Sequence, residues 1–479
     1  MSCQEQRFTM ILFGASGDLT QRKLLPALFR LHKAKRLPDG FRLIGYSRTD
    51  MDDDAFRKLA DASLREFLPG EYGDGEADFL DLLHYVKGGY DDDDGLNRLR
   101  DAIQSDECSP PIYYMALPPD TARAILDAFV AGKLPTKGGR ILMEKPFGVD
   151  LASAEYFNRQ LQQCFDESNI LRIDHYLAKD TVRNLLVFRF ANILFEPVWN
   201  RHYIDHIQVS ATETIGVENR GGFYDGVGVV RDMLQNHVLL LLAFATMEPP
   251  LANDSESIRD RTSDLLRSID PPARKDFVFG QYDGYRKTRG VDPMSTTPTF
   301  AAVRLFIQNW RWYDVPVYLM SGKSLDRRVS EVTFVFKNIP MHLLEDNSYA
   351  KMHPNVLTLR IHPDEGIRLS LGVKTPGYRD QVIPAALDFR YSNLVDSEAV
   401  AERELFTGYE RVLLEALAGR PGLFWRADAI ESAWRIVEPI LTEEARATSL
   451  NIYNPGESGA NLVAGLLARD GREWHNTGF

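Results

Sequence analysis

Residues 8–13 (FTMILF), 41–46 (FRLIGY), 83–86, 112–116 (IYYMA), 141–143 and 170–173 are short apolar runs separated by helical or turn-rich stretches. A run of this length without polar alternation fits a strand buried on both faces. Strand, helix, strand, repeated to residue 173, is the pattern of a parallel doubly wound sheet, because each parallel crossover needs a helix to return the chain. The later chain has another rhythm. Strand patterns at 205–212, 301–307, 316–320, 331–336, 356–361 and 366–373 follow one another, and helical patterns return at 399–418 and 427–441. Consecutive strands without intervening helices predict a mainly antiparallel sheet. The expected fold is therefore α/β: a doubly wound parallel sheet in residues 1–173, then an α+β domain with a large antiparallel sheet in residues 174–479.

A chain of 479 residues is too long for one core, in keeping with that division. The net charge of −12 argues against nucleic acid or an anionic membrane as partner, since both call for a basic surface. The longest strongly apolar run, residues 237–247, is too short to span a bilayer. The N-terminal residues are polar, and Cys3, Cys108 and Cys164 form no CxxC pair or metal-ligand spacing. A cytoplasmic protein with reduced thiols and no metal is the expectation. Asp91–Asp94 read as a solvated turn. Pro26 lies in a helical stretch carrying Leu24, Leu28 and Leu31, so that helix should start late, near Arg22, or kink at Pro26.

Gly14-Ala15-Ser16-Gly17-Asp18-Leu19 follows the first apolar run. Glycine at a strand–helix turn admits a pyrophosphate, and the helix N-terminus favours its charge. This is the Rossmann-type arrangement for a dinucleotide. The second run ends in Gly45-Tyr46-Ser47-Arg48. An arginine there suits the 2′-phosphate of NADP, whereas an acid would favour NAD. Arg48 leans the choice to NADP; Asp50 and Asp52–Asp54 keep NAD open as second choice. Leu117 and Pro118 end the fourth run, where the nicotinamide half belongs, and Lys145 follows the fifth.

The chemistry concentrates in three strings: RIDHYLAKD (172–180), RDMLQNH (231–237) and SGKSLDRR (321–328). The first places polar groups where a parallel strand ends, the usual address of a site in an open α/β sheet. In the second, Asp232 and Asn236 stand one α-helical turn apart with His237 beside them, and a neutral imidazole oriented by a carboxylate is an ordinary general base. The third gathers cations suited to a phosphate monoester or sugar hydroxyls.

With GASGDL (14–19), YMALPP (114–119), EKPFG (144–148), NRGG (219–222) and WRIVEPI (434–440), these strings fall in an order that resembles the glucose-6-phosphate dehydrogenase family. The resemblance implies oxidation of D-glucose 6-phosphate to 6-phospho-D-glucono-1,5-lactone with hydride transfer to NADP, the first step of the oxidative pentose phosphate pathway. It implies His237 as general base and Asp174 as its orienting carboxylate. His175, Tyr176 and Lys179 would bind the phosphate, and Glu213, Asp232 and Lys323 the sugar hydroxyls. Lys145 would reach both substrate and cofactor, and Arg328 matches a basic substrate-site position. Gly14, Ser16, Gly17, Asp18, Leu19, Arg48, Leu117 and Pro118 would line the cofactor. It also implies a homodimer or a dimer of dimers. Ala178 stands where the family string has glycine, Asp180 where it has glutamate, and the stretch 212–216 departs as well. Two other readings compete: an NAD(P)-dependent dehydrogenase of a different sugar or sugar phosphate, and a paralogue without catalysis.

Overall fold

The computed structural model describes residues 8–73, 75–104, 110–176, 180–340, 354–377, 382–393 and 408–475. The chain forms two compact units. The first comprises Met1–Lys179, Ala252–Arg259 and Ser397–Glu431; the second comprises Asp180–Leu251, Asp260–Asp396 and Ser432–Phe479.

The first unit is built on β1 (Phe8–Phe13), β2 (Phe41–Ser47), β3 (Leu83–Lys87), β4 (Ile112–Met115), β5 (Arg140–Met143) and β6 (Ile170–Ile173), with β15 (Phe424–Trp425) added from late in the chain. The order is β15-β6-β5-β4-β1-β2-β3. The first six strands pair in parallel, and β15 runs antiparallel to β6. Ile11, Phe13, Leu43, Tyr113, Tyr114, Ile141 and Leu171 are fully buried, as expected for strands covered on both faces. The order reverses about β1, so the loops after β1 and β4 diverge at a switch point, where open α/β sheets bind their ligands.

The Pro26 expectation is corrected. The helix begins at Asp18 rather than near Arg22, and widens into a π-helical stretch, Thr20–Leu24, before the α-helix Leu25–Lys33. The wider turn accepts Pro26 at the start of a new α-helical register without breaking the rod. The acidic run is corrected in part: Asp91 and Asp92 form the turn, while Asp93 and Asp94 open the helix Asp93–Gln104, where their charge suits the helix N-terminus.

The second unit carries β7 (Ile204–Thr212), β8 (Phe277–Tyr282), β9 (Phe300–Phe306), β10 (Pro316–Gly322), β11 (Val329–Phe336), β12 (Val356–His362), β13 (Gly366–Lys374), β14 (Val382–Arg390) and β16 (Leu450–Tyr453). They form a sheet in the order β14-β13-β12-β11-β7-β10-β9-β8-β16. Pairing is antiparallel except between β7 and β10 and between β8 and β16. Sequence patterning passes over β8, β14, β15 and β16: β15 and β16 are only two and four residues long, and β14 carries Pro384 in its apolar run. Against this unit's core lies a helical run longer than the sequence suggests. Glu218–Thr246 has the length and apolar composition of a membrane span, yet most of its apolar window is buried inside the protein.

Within that run the α-helix Leu239–Thr246 is buried at every position. Its last carbonyls have no partner inside the helix. Three side chains serve them: Arg189 Nη1 donates to Phe244 O at 3.3 Å, Trp199 Nε1 to Ala245 O at 2.8 Å and Trp312 Nε1 to Thr246 O at 2.8 Å. Trp312→Phe keeps an aromatic ring but leaves the Thr246 carbonyl unpaired. It should cost about 1–3 kcal/mol, read as a lower urea midpoint. Trp310→Phe, at a 91% exposed position, should stay within about 0.5 kcal/mol of wild type.

Candidate active site

In the first unit, β1 ends in Gly14 with φ +83°. A Cβ there would stand 2.4 Å from Ala116 O, so the turn is reserved for glycine by both backbone angle and space. Gly14 N donates to Tyr46 O at 3.0 Å and Gly17 N to Gly14 O at 2.9 Å, which closes the turn. Ser16 Oγ lies 3.0 Å from Ser47 Oγ and 2.7 Å from Thr49 Oγ1, tying the loop to the end of β2. Asp18 and Leu19 form the first helical residues. The close backbone approach and the helix N-terminus fit the diphosphate of a dinucleotide.

Arg48 is exposed at the end of β2, its guanidinium 5.8 Å from the centre of the Tyr90 ring. Three of the four acids that compete with it in sequence have other partners. Asp50 pairs with Lys87 at 2.8 Å. Asp52 caps the helix Asp53–Phe67 by accepting from Ala55 N at 2.9 Å. Asp53 accepts from Tyr85 N at 2.7 Å. Leu117 lines a crevice with Met115, Glu144, Pro146 and Phe147 at the carboxyl ends of β4 and β5. Pro118 caps the following helix, Pro119–Val130, and Lys145 is half-buried just past β5.

RIDHY sits at the end of β6. Arg172 is buried and bonds Glu167 at 2.6 Å and Asn158 at 3.0 Å, so it is structural. Asp174 is 2% exposed. Its carboxylate accepts from Tyr176 N at 2.8 Å and from Trp425 Nε1 at 3.2 Å. His175 Nε2 is 3.4 Å from Glu144 Oε2 and 3.2 Å from the Tyr409 hydroxyl. Glu144 also accepts from the Tyr114 hydroxyl at 2.6 Å. Burial raises the pKa of Glu144, but bonding to His175 and Tyr114 and the nearby Lys145 charge outweigh it, and the carboxyl is held below its usual range. Lys179 and Ala178 lie outside the described residues.

In the second unit, parallel pairing ends β7 and β10 together, with Thr212 beside Gly322. The next residues, Glu213 and Lys323, are therefore neighbours, and Lys323 Nζ bonds Glu213 Oε2. Asp232 Oδ2 lies 3.8 Å from the same ammonium. The backbone of Lys323 is fixed as well: its N donates to Thr299 O at 3.0 Å, and its O accepts from the Tyr453 hydroxyl at 2.6 Å. Arg328 is exposed just before β11.

Asp232 and His237 lie on the π-helix Val230–Val238. The helix there is π rather than the α-helix expected: its wider turn keeps Asn236 on the side of Asp232 and turns His237 closer to that side than an α-turn would. Such widened turns recur at functional sites. His237 is 3% exposed. Sequence reasoning gave no role to Tyr224, Tyr409 or Trp425, nor to Tyr114 and Glu144, although these two open the strings YMALPP and EKPFG; the partners of all five are remote in sequence. No group of three or more potential metal ligands occurs among the described residues.

Comparison with known proteins gives one family for both units. The family model described as glucose-6-phosphate dehydrogenase, NAD binding domain, matches residues 11–184, and the C-terminal domain model matches 186–475. Glucose-6-phosphate 1-dehydrogenase of Aggregatibacter actinomycetemcomitans is 39% identical, covering 97% of this chain and 96% of that protein. The Rhizobium meliloti protein of the same name is 38% identical over 98% of each. The crystal structure of the Mycobacterium avium enzyme aligns with TM-score 0.87 at 33% identity, covering 99% of this chain and 100% of that one. A glucose-6-phosphate dehydrogenase solved in complex with its substrate glucose 6-phosphate aligns with TM-score 0.87 at 32% identity, with the same coverage.

A carboxyl with a lowered pKa contributes stability above the usual carboxylate range, about pH 4.3, and loses it as the pH falls through its depressed value. The difference in urea midpoint between wild type and Glu144→Gln should therefore be widest at neutral pH and close on acidification below that range. A difference constant from pH 7 to 3 would contradict an ionised Glu144.

Proposed function

The chain belongs to the glucose-6-phosphate dehydrogenase family, and on that premise we propose how its residues divide the work. The reaction is oxidation of D-glucose 6-phosphate at C1 to 6-phospho-D-glucono-1,5-lactone, the first step of the oxidative pentose phosphate pathway. The observation that carries this reading is the full-length match, across both units, to enzymes of that name and to one solved with glucose 6-phosphate. A nicotinamide dinucleotide, when bound, accepts the hydride from C1.

In this reading residues 1–173 supply the cofactor half and residues 174–479 the substrate half. Gly14, Ser16, Gly17, Asp18 and Leu19 cradle the diphosphate, and Leu117 and Pro118 border the nicotinamide half. NADP is the preferred form. What supports it is Arg48, exposed after β2, with Asp50, Asp52 and Asp53 committed to other partners. His175, Tyr176 and Lys179 bind the phosphate, with Arg328 adding charge. Glu213, Asp232 and Lys323 hold the hydroxyls: two carboxylates accept them and one ammonium donates, which positions the ring without a metal. Lys145 serves substrate and cofactor. His237 takes the C1 hydroxyl proton as hydride leaves, and Asp174 favours the resulting imidazolium, as a buried carboxylate does.

The protein works as a homodimer, or as a dimer of such dimers, in the cytoplasm. A relative from Arabidopsis thaliana carries "cytoplasmic" in its name. The outer strand β14 supports pairing through the sheet, since Leu387 is 64% exposed there and Ile383 and Phe389 are also exposed.

The direct test is the rise in reduced-nicotinamide absorbance with glucose 6-phosphate, run with NADP and with NAD. Turnover with neither would overturn the assignment. Arg48→Ala should raise the KM for NADP while leaving that for NAD near wild type, so the preference narrows; equal losses with both would remove Arg48 from the 2′-phosphate. For His237→Asn, kcat should fall about 10²–10⁴-fold while equilibrium binding of glucose 6-phosphate persists.

A further inference from the structure

Lys323 has a third neighbour besides its two carboxylates. Its ammonium lies 5.2 Å from the centre of the Tyr224 ring, within the range in which an aromatic face attracts a cation. Tyr224 stands on the helical segment Gly221–Val229 and is 4% exposed. Tyr285 meets its ring at 74° with centroids 6.3 Å apart, which fixes the plane. The Tyr224 hydroxyl is buried and has no hydrogen-bond partner among the described residues. A buried tyrosine normally finds one, and an unpaired buried hydroxyl is costly. What the geometry gives this side chain is the contact of its ring face with the ammonium.

We infer that Tyr224 is a positioning residue for the sugar site, its ring face holding the Lys323 ammonium against Glu213 and Asp232. The backbone bonds from Thr299 and Tyr453 fix only the root of that side chain, and a lysine has four rotatable carbons beyond it. Glu213 and Asp232 attract the ammonium as well. The ring supplies a desolvated second wall without a competing negative charge, so Lys323 Nζ stays a donor to the substrate. The inference rests on the reading of Lys323 as a hydroxyl-binding residue.

Steady-state kinetics of four variants test it. Tyr224→Phe keeps the face and drops the unpaired hydroxyl; its KM for glucose 6-phosphate should stay within about twofold of wild type, and its urea midpoint should not fall. Tyr224→Leu removes the face; KM should rise roughly 2- to 30-fold, the span expected of a cation–π contact, with a smaller change in kcat. Lys323→Met should raise KM on its own. In the Lys323→Met background, Tyr224→Leu should add little. If Tyr224→Leu costs the same with or without Lys323, or if Tyr224→Phe loses as much as Tyr224→Leu, the positioning role is overturned. If Lys323→Met leaves KM unchanged, the hydroxyl-binding assignment of Lys323 itself falls, which separates the two failures.

Discussion

A helix buried along its whole length cannot leave its last carbonyls to water, and much of the second unit follows from meeting that requirement. Arg189, Trp199 and Trp312, from three separate stretches, converge on the carbonyls of Phe244, Ala245 and Thr246. Each donor is itself nearly or fully buried, so the bonds form where an unpaired group is most costly. They fix how far the helix is driven into the core and how it is rotated. The residues just before it, including Asp232 and His237, inherit that placement.

The π-helical turn is the second constraint. The same residues wound as an α-helix would put Asn236 over Asp232. The wider turn carries His237 closer to that face as well, with Asn236 still on it. Asp232 in turn meets Lys323, which the parallel pairing of β7 and β10 has already set beside Glu213. Two backbone choices, one in a helix and one in a sheet, thus assemble a charged cluster from three distant strings. The first unit uses a comparable economy. The ends of β1 and β2 are tied through Ser16, Ser47 and Thr49, and the nearby acids are drawn away from Arg48.

Much of this was legible in the residues. Runs such as FTMILF and IYYMA announce buried parallel strands because nothing polar interrupts them, and GASGDL marks the turn because glycine is needed there. The strings RIDHYLAKD, RDMLQNH and SGKSLDRR name the candidate site by local composition. Illegible were the strands β8, β14, β15 and β16, whose residues gain their conformation from neighbours already in a sheet. The π-helical turns at Thr20–Leu24 and Val230–Val238 were equally hidden, since a π turn has no distinct apolar period.

The sequence by itself determined the fold class, the family, and which strings carry chemistry, because apolar periodicity and clustered functional groups are local properties. Tertiary structure alone decided the partnerships: Trp425 on Asp174, Glu144 and Tyr409 on His175, and the Tyr224 face beneath Lys323. It also decided the partners of Asp50, Asp52 and Asp53: Lys87, Ala55 N and Tyr85 N. Such pairings depend on where remote segments come to lie. Hydrogen bonds and ion contacts act over a few ångströms, a distance that spacing along the chain does not encode.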